Sequence, residues 1–481
     1  MARRSTPVIP CRGGSERPWP SGGRSGAGRR KESRRWRMRA WPGCWIRRCA
    51  MRCRTSGCRR RGIAMPRRGS SAIPSRTAIR RGISSRSKPG RCSDGEANWN
   101  GKRPRRERTG RNDGDVSRRL YTIREPAMAE QTVYIGTYTE KLPFVDGKAA
   151  GIYAYRLDAD SGELHHLSTT VGPRNPSYLA IDPQRRFLYS VQETEVGDDP
   201  RVHAFAVAGD GLRPLNSQPA HGGLPCHIAV DATGRCVVSA NYETGSVAAY
   251  PIGEDGALAA AAAVVQHQGA GSDHPRQVGP HAHGVVLNAA NDRLLVPDLG
   301  LDQVLAYRFD PVGSLAPADP PHLKVHTGAG PRHFIFDPRQ EYGFVLGEMD
   351  ATITVCAYRD GMLNPVQRIS TLPADSTADP SCAEIAMSAD GRFVYASNRG
   401  HDSIARFAFA AGALTALGHT STQGRIPRDF AIDSTGDFLI VGNQDSDTVV
   451  SFRIDRETGD LQPTGHVASV PNPVCILPVQ F

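Results

Sequence analysis

The sequence predicts an all-β fold: a seven-bladed β-propeller of four-stranded blades, closed by pairing of its N- and C-terminal strands and preceded by a disordered basic extension. Three observations carry this expectation. A strand–turn–strand unit recurs six times, the units lie 45 to 57 residues apart, and the ends of the repeat region supply the parts of a seventh.

The repeat is plainest at its first strands. Pro176-Ser177-Tyr178-Leu179-Ala180-Ile181-Asp182 aligns with Pro225-Cys226-His227-Ile228-Ala229-Val230-Asp231. Both align with Pro331-Arg332-His333-Phe334-Ile335-Phe336-Asp337 and Pro427-Arg428-Asp429-Phe430-Ala431-Ile432-Asp433. Two further units end at Asn288 and Ser388. The turn anchors are then 182, 231, 288, 337, 388 and 433, spaced by 49, 57, 49, 51 and 45 residues.

A turn bearing Gly, Asn or Asp follows each anchor, as a hairpin requires. Second apolar runs come next, at 187–191, 236–240, 294–297, 342–346, 393–397 and 438–442. Third runs at 201–207, 246–252, 303–309, 352–358, 403–409 and 448–454 mostly alternate apolar and polar residues, the pattern of half-buried strands. A weaker fourth strand fits before each next unit. At the ends, 472–477 repeats a first strand, while 133–138 and 151–157 resemble a second and a third. Pairing them in one blade closes the ring and hides its sheet edges.

Composition divides the chain near Met128. Residues 1–127 hold 36 Lys and Arg against 8 Asp and Glu, a surplus of 28 positive charges, whereas the remainder is net −16. The first segment also holds all five Trp and six of the eleven Cys, without helical or strand periodicity. We read 1–127 as a disordered Arg-rich extension that cannot bury enough apolar surface to fold, and as sequence foreign to the native protein, with Met128 the natural start. If native, it would suit phosphate contacts of a nucleic-acid-binding tail. Residues 128–481 form the propeller domain. Cys49, Cys53 and Cys58 lack the histidine or second Cys pair of a zinc site. Cys226, Cys236, Cys356, Cys382 and Cys475 fall in strand-like runs and are expected as buried free thiols of a reducing cytoplasm. Residues 1–127 lack the apolar core a secretory signal needs, so export is not expected, and no apolar run reaches the length of a membrane span.

The start of each first strand and the end of each second strand lie on one face of the ring. The first column reads Ser177, Cys226, His283, Arg332, Ala383, Arg428 and Val474; the second reads Gln192, Asn241, Asp298, Glu348, Asn398 and Asn443. Glu193, His281, His333 and Arg399 sit beside them. The amides could equally cap turns. His281 and His283, two apart on a strand, face the same way, but two histidines without a dictated third ligand do not make a metal site. Asp298 is a candidate orienting partner for His283. Arg and His set against carboxylates favour a small anionic ligand.

These residues stand in stretches that resemble the seven-bladed propeller lactonases, the family of 6-phosphogluconolactonase and carboxymuconate cyclase. The likeness covers residues 131–481. It rests on Tyr134-Ile135-Gly136-Thr137-Tyr138-Thr139, Gly279-Pro280-His281-Ala282-His283, Val296-Pro297-Asp298-Leu299-Gly300, Gly330-Pro331-Arg332-His333, Ser397-Asn398-Arg399-Gly400 and Gly442-Asn443-Gln444-Asp445. The resemblance implies His283, Arg332, Glu348 and Arg399 as catalytic residues, with Arg428 an alternative to Arg399. One departure is Leu346-Gly347-Glu348, where relatives commonly carry Asn before the glutamate.

The expected reaction is hydrolysis of 6-phospho-D-glucono-1,5-lactone. His283, or Glu348 with His283, would activate water, and Arg332 would stabilise the oxyanion. Arg399, Arg428 or His281 would hold the phosphate, with Asp298, Glu193 and Asn241 completing the binding site. No metal or cofactor is required. The expected partner is a phosphorylated sugar lactone, with no nucleic acid or membrane, for a cytoplasmic monomer. The rival readings are another lactone, cyclisation of a muconate, and a non-catalytic scaffold.

Overall fold

Each repeat begins with a hairpin pinned by its anchor residue. Asp231 Oδ1 accepts from the backbone N–H groups of Arg235 and Cys236 at 2.6 and 2.7 Å. Asn288 Oδ1 does the same for Asp292 and Arg293, and Asp433 Oδ1 for Phe438 at 2.8 Å. Even Ser388 follows the rule, its hydroxyl accepting from Phe393 N at 3.0 Å. The recurring Asp, Asn or Ser is therefore a side-chain brace for the turn between first and second strands.

The computed structural model describes residues 131–481. The expectations for 1–127 and for a start at Met128 lie outside the described residues. Seven four-stranded antiparallel sheets are present among the described residues, six of them simple meanders and the seventh assembled from both ends of the chain. Their innermost strands are Leu179–Ile181, Pro225–Val230, Val286–Leu287, Pro331–Phe336, Cys382–Met387, Pro427–Ile432 and Pro473–Gln480. The last of these pairs with Gln131–Thr137, from Gln131 opposite Gln480 to Thr137 opposite Pro473. The ring is closed as the sequence predicts.

Between adjacent blades the alternating apolar faces interlock. Phe344, Ile353 and Val355 of one blade meet Ile385, Val394 and Phe407 of the next, all buried. The five cysteines of the described region are likewise buried and unpaired. A small hairpin, Lys141–Leu142 with Val145–Asp146, stands outside the ring of blades. No described helix is long and apolar enough to cross a membrane.

Two features depart from a regular propeller and shape its centre. Five inner strands carry a β-bulge near their start, between Pro225 and His227, Pro331 and His333, Cys382 and Ile385, Pro427 and Asp429, and Pro473 and Cys475. A bulge breaks the alternation of side chains, so two successive residues can face the ring axis. The second is the blade of His283, where the expected strand shrinks to Val286–Leu287. Pro297 on the neighbouring strand accepts from His283 N at 2.9 Å but has no N–H to return, and the ladder fails there.

Candidate active site

A cavity of about 440 Å³ opens at one end of the ring axis. Its walls include Glu193, Cys226, His283, Glu348, Arg399 and Arg428 from the blades, with Phe144, Tyr242 and Arg276 at the mouth. Glu348 is the hub. Its Oε1 pairs with Arg276 Nη1 at 2.7 Å, and its Oε2 lies 3.1 Å from Arg399 Nη2 and 3.2 Å from Arg332 Nε. His283 Nε2 stands 3.9 Å from the same oxygen. Burial alone would raise the carboxyl's pKa, but Arg399, Arg276 and Arg332 outweigh it and hold Glu348 ionised well below the usual carboxylate range. Gly347 gives the backbone this path, since a Cβ there would lie 2.9 Å from the Ala329 carbonyl oxygen. The Leu-Gly-Glu sequence thus delivers its carboxylate to the centre.

Arg332 is the bulged residue of its strand, and the bulge turns it inward. Its Nη1 donates to the Ala383 carbonyl and is 3.1 Å from His333 Nε2. His283 contacts Cys226, Nδ1 to Sγ 3.8 Å, and meets the Tyr242 ring edge-on. Burial, helped by Arg332 and His333, keeps His283 neutral with its pKa well below the ordinary value. Arg399 donates from Nη2 to the Cys382 carbonyl at 2.8 Å, and burial brings its pKa down to about 10. Across the cavity Arg428 lies over the rings of Tyr138 and Phe144, centroids 5.5 and 5.9 Å away. Glu193 accepts from Tyr138 Oη at 2.9 Å and from Ser177 Oγ, and burial raises its pKa against the pull of Arg428.

Three expected site residues lie elsewhere. Asp298 does not orient His283: its Oδ2 binds His267 Nδ1 at 2.6 Å in a fully buried pair. Its Oδ1 accepts from His281 N and Leu301 N, so Asp298 holds the chain leading to His283 instead of the imidazole. Asn241 caps a turn, donating to the Ala220 carbonyl and Ser246 Oγ at 2.9 and 3.0 Å. Asn398 and Asn443 make the equivalent bonds to the carbonyls of Thr371 and Thr422. The His281 ring is stacked on Tyr242, with Nδ1 2.8 Å from that residue's own carbonyl oxygen, and does not line the cavity.

Arg276 escaped the sequence reading. It lies on the irregular connection between Ala263–Gln266 and Val286–Leu287, where no periodicity marks a residue. Its guanidinium also donates to Tyr242 Oη at 3.0 and 2.9 Å. The available signal was the 57-residue spacing between anchors 231 and 288, the longest of the set. A long insert in a compact repeat is where function collects.

The family described as "Lactonase, 7-bladed beta-propeller" matches residues 132–478. The chain belongs to this lactonase family. It is 33% identical over 353 residues to the 6-phosphogluconolactonase of Bacillus subtilis, covering 73% of this chain and 98% of that one. It is 34% identical over 341 residues to a 6-phosphogluconolactonase of Formosa agariphila, covering 69% and 94%. The solved structure of a periplasmic gluconolactonase from Pseudomonas aeruginosa superposes with a TM-score of 0.69 at 32% identity, covering 73% of this lactonase and 99% of that protein.

Proposed function

We propose that this lactonase hydrolyses 6-phospho-D-glucono-1,5-lactone to 6-phosphogluconate. The surplus of guanidinium groups carries the reading: Arg276, Arg332 and Arg399 share one carboxylate, and Arg428 faces them with Glu193 as its nearest counter-charge. Such a cavity favours an anionic lactone over a neutral one. The names of the Bacillus and Formosa relatives support the phosphorylated substrate.

In this mechanism water attacks the lactone carbonyl carbon and gives its proton to His283 Nε2. Glu348, locked as a carboxylate by three arginines, is too weak a base and instead stabilises the imidazolium that forms. Arg332 meets the developing oxyanion, a contribution of roughly 3–4 kcal/mol. The tetrahedral intermediate collapses with cleavage of the ring C–O bond, and His283 returns the proton to the departing ring oxygen. Arg428 and Arg276 hold the phosphate, with Arg399 supporting Glu348. A cytoplasmic location goes with that substrate. A preference for unphosphorylated gluconolactone would instead align the chain with its periplasmic relative.

The test is acid release from phosphorylated and unphosphorylated gluconolactone by the purified protein, with spontaneous hydrolysis subtracted. The reading expects kcat/KM at least roughly tenfold higher for the phosphorylated lactone, the return on one charge-assisted contact. No acceleration of either lactone would discard it.

A further inference from the structure

Four of the bulges supply a second layer of inward side chains beneath the cavity. His227 stacks on Tyr178 with ring centroids 4.1 Å apart and meets His333 edge-on at 5.1 Å. His333 Nδ1 lies 2.7 Å from Glu384 Oε2, and the carboxyl groups of Glu384 and Asp429 stand against each other. These residues come from different blades, so they converge on the ring axis. The mechanism above does not use the two acids.

Both carboxyl groups are buried, and their outward lone pairs are occupied. Glu384 Oε1 accepts from Ile385 N at 2.9 Å; Asp429 accepts from Phe430 N at 2.9 Å and Ile476 N at 2.6 Å. Glu384 Oε2 is buried with no donor hydrogen aligned on it. Two carboxylates in contact at this depth cannot both be ionised, so one proton must lie between them. The other titratable and charged groups facing the pair are Arg332 and His333, Tyr178, and Cys475. Burial pushes Glu384 up to about 7 and Asp429 well above its ordinary value. The histidines differ: burial, with Arg332 beside it, leaves His333 far below its usual range.

We propose that Glu384 and Asp429 share one proton, and that Glu384, acting through His333, is a positioning residue for the Arg332 guanidinium. The single charge left on the pair holds the His333 ring through the Oε2–Nδ1 contact. Arg332 Nη1 lies against that ring, 3.1 Å from Nε2 and 3.4 Å from Nδ1, and also donates to the carbonyl of Ala383, the residue before Glu384. With Glu348 on its Nε, the guanidinium is held from three sides. Protonating both acids removes the charge and loosens the arginine. The catalytic consequence rests on the lactonase reading; the shared proton does not.

The experiment combines an infrared titration with the pH dependence of lactone hydrolysis in the wild type, Glu384→Gln and Asp429→Asn. The wild type should show a buried protonated-carboxyl band changing across neutrality, altered in both variants. Its kcat should fall on the acid side of about pH 7. Glu384→Gln should lack that limb and run roughly tenfold to a hundredfold slower, short of the loss of a whole oxyanion donor. Its KM should stay within about threefold, since the arginine is misaligned but present. Glu193→Gln, with the other raised carboxyl removed, should keep the limb. A limb that persists in Glu384→Gln, or a wild-type band that does not titrate, overturns the proposal. If the wild type turns over no lactone, the functional reading fails separately. The infrared titration, with inorganic-phosphate affinity in wild type and Glu384→Gln, then decides: equal affinities at every pH overturn the positioning role.

Discussion

Arg276 Nη1 and Glu348 Oε1 are 2.7 Å apart, tying an irregular loop to the residue on which the blade arginines converge. The arginine is half-exposed and the carboxylate buried, so the loop end of the pair can exchange partners while the other cannot. An incoming anion is drawn to the arginine that is free to move. Arg276→Ala should therefore raise KM for a phosphorylated lactone roughly tenfold, the value of one charge-assisted contact, and change kcat by less than about threefold. Steady-state kinetics check this, and an unchanged KM would separate Arg276 from ligand binding.

His283 and Arg332 carry the chemistry in the proposed scheme, so their loss should appear in kcat. We expect Arg332→Ala to lower kcat by roughly a hundredfold to a thousandfold and His283→Ala by at least roughly a hundredfold. Retention of full activity by both variants would refute the assignment.

Glu348 should be the costliest of these positions for folding. Its Gln variant leaves three guanidinium groups without their shared counter-charge, a loss of about 3–5 kcal/mol in chemical denaturation. The depressed native pKa also fixes the sign with pH. The stabilisation is complete above the unfolded value near 4.5 and drains away as pH falls below it, because the unfolded chain then binds the extra proton. The Gln variant should lose that part of the acid slope.

The Glu384–Asp429 pair has the opposite sign. Its raised carboxyls keep protons that the unfolded chain releases, so stability falls as pH rises from about 4.5 toward about 7 and is not regained above. Glu384→Gln should melt higher than wild type near pH 8 and converge with it near pH 4, as read by calorimetry. It would be a more stable and slower protein, the usual direction of that exchange.

Much of this was legible in the chain. The anchors could be aligned because a turn brace tolerates only a few side chains, and the column of His283, Arg332 and Arg428 followed from counting along aligned strands. Counting also misled. Counting along the strand set His333 beside the rim and gave Asp429 no role, and the bulges bring both to the layer below the cavity. Asp298 and Asn241 occupy the expected rim positions, yet their side chains serve His267 and a turn, which no count of residues reveals. Arg276 was hidden by a loop without periodicity.

The bulges leave each of these blades contributing neighbouring residues to different depths of the same axis. Arg332 reaches Glu348 on the cavity wall and His333 the layer below; Arg428 lines the cavity and Asp429 reaches the layer below. Removing one residue at such a bulge would restore plain alternation and send one member of each pair into the space between blades, where a charged group has no partner. Single-residue deletions at 332 or 428 should therefore do more damage than substitutions there, because they exchange the floor of the site with its wall.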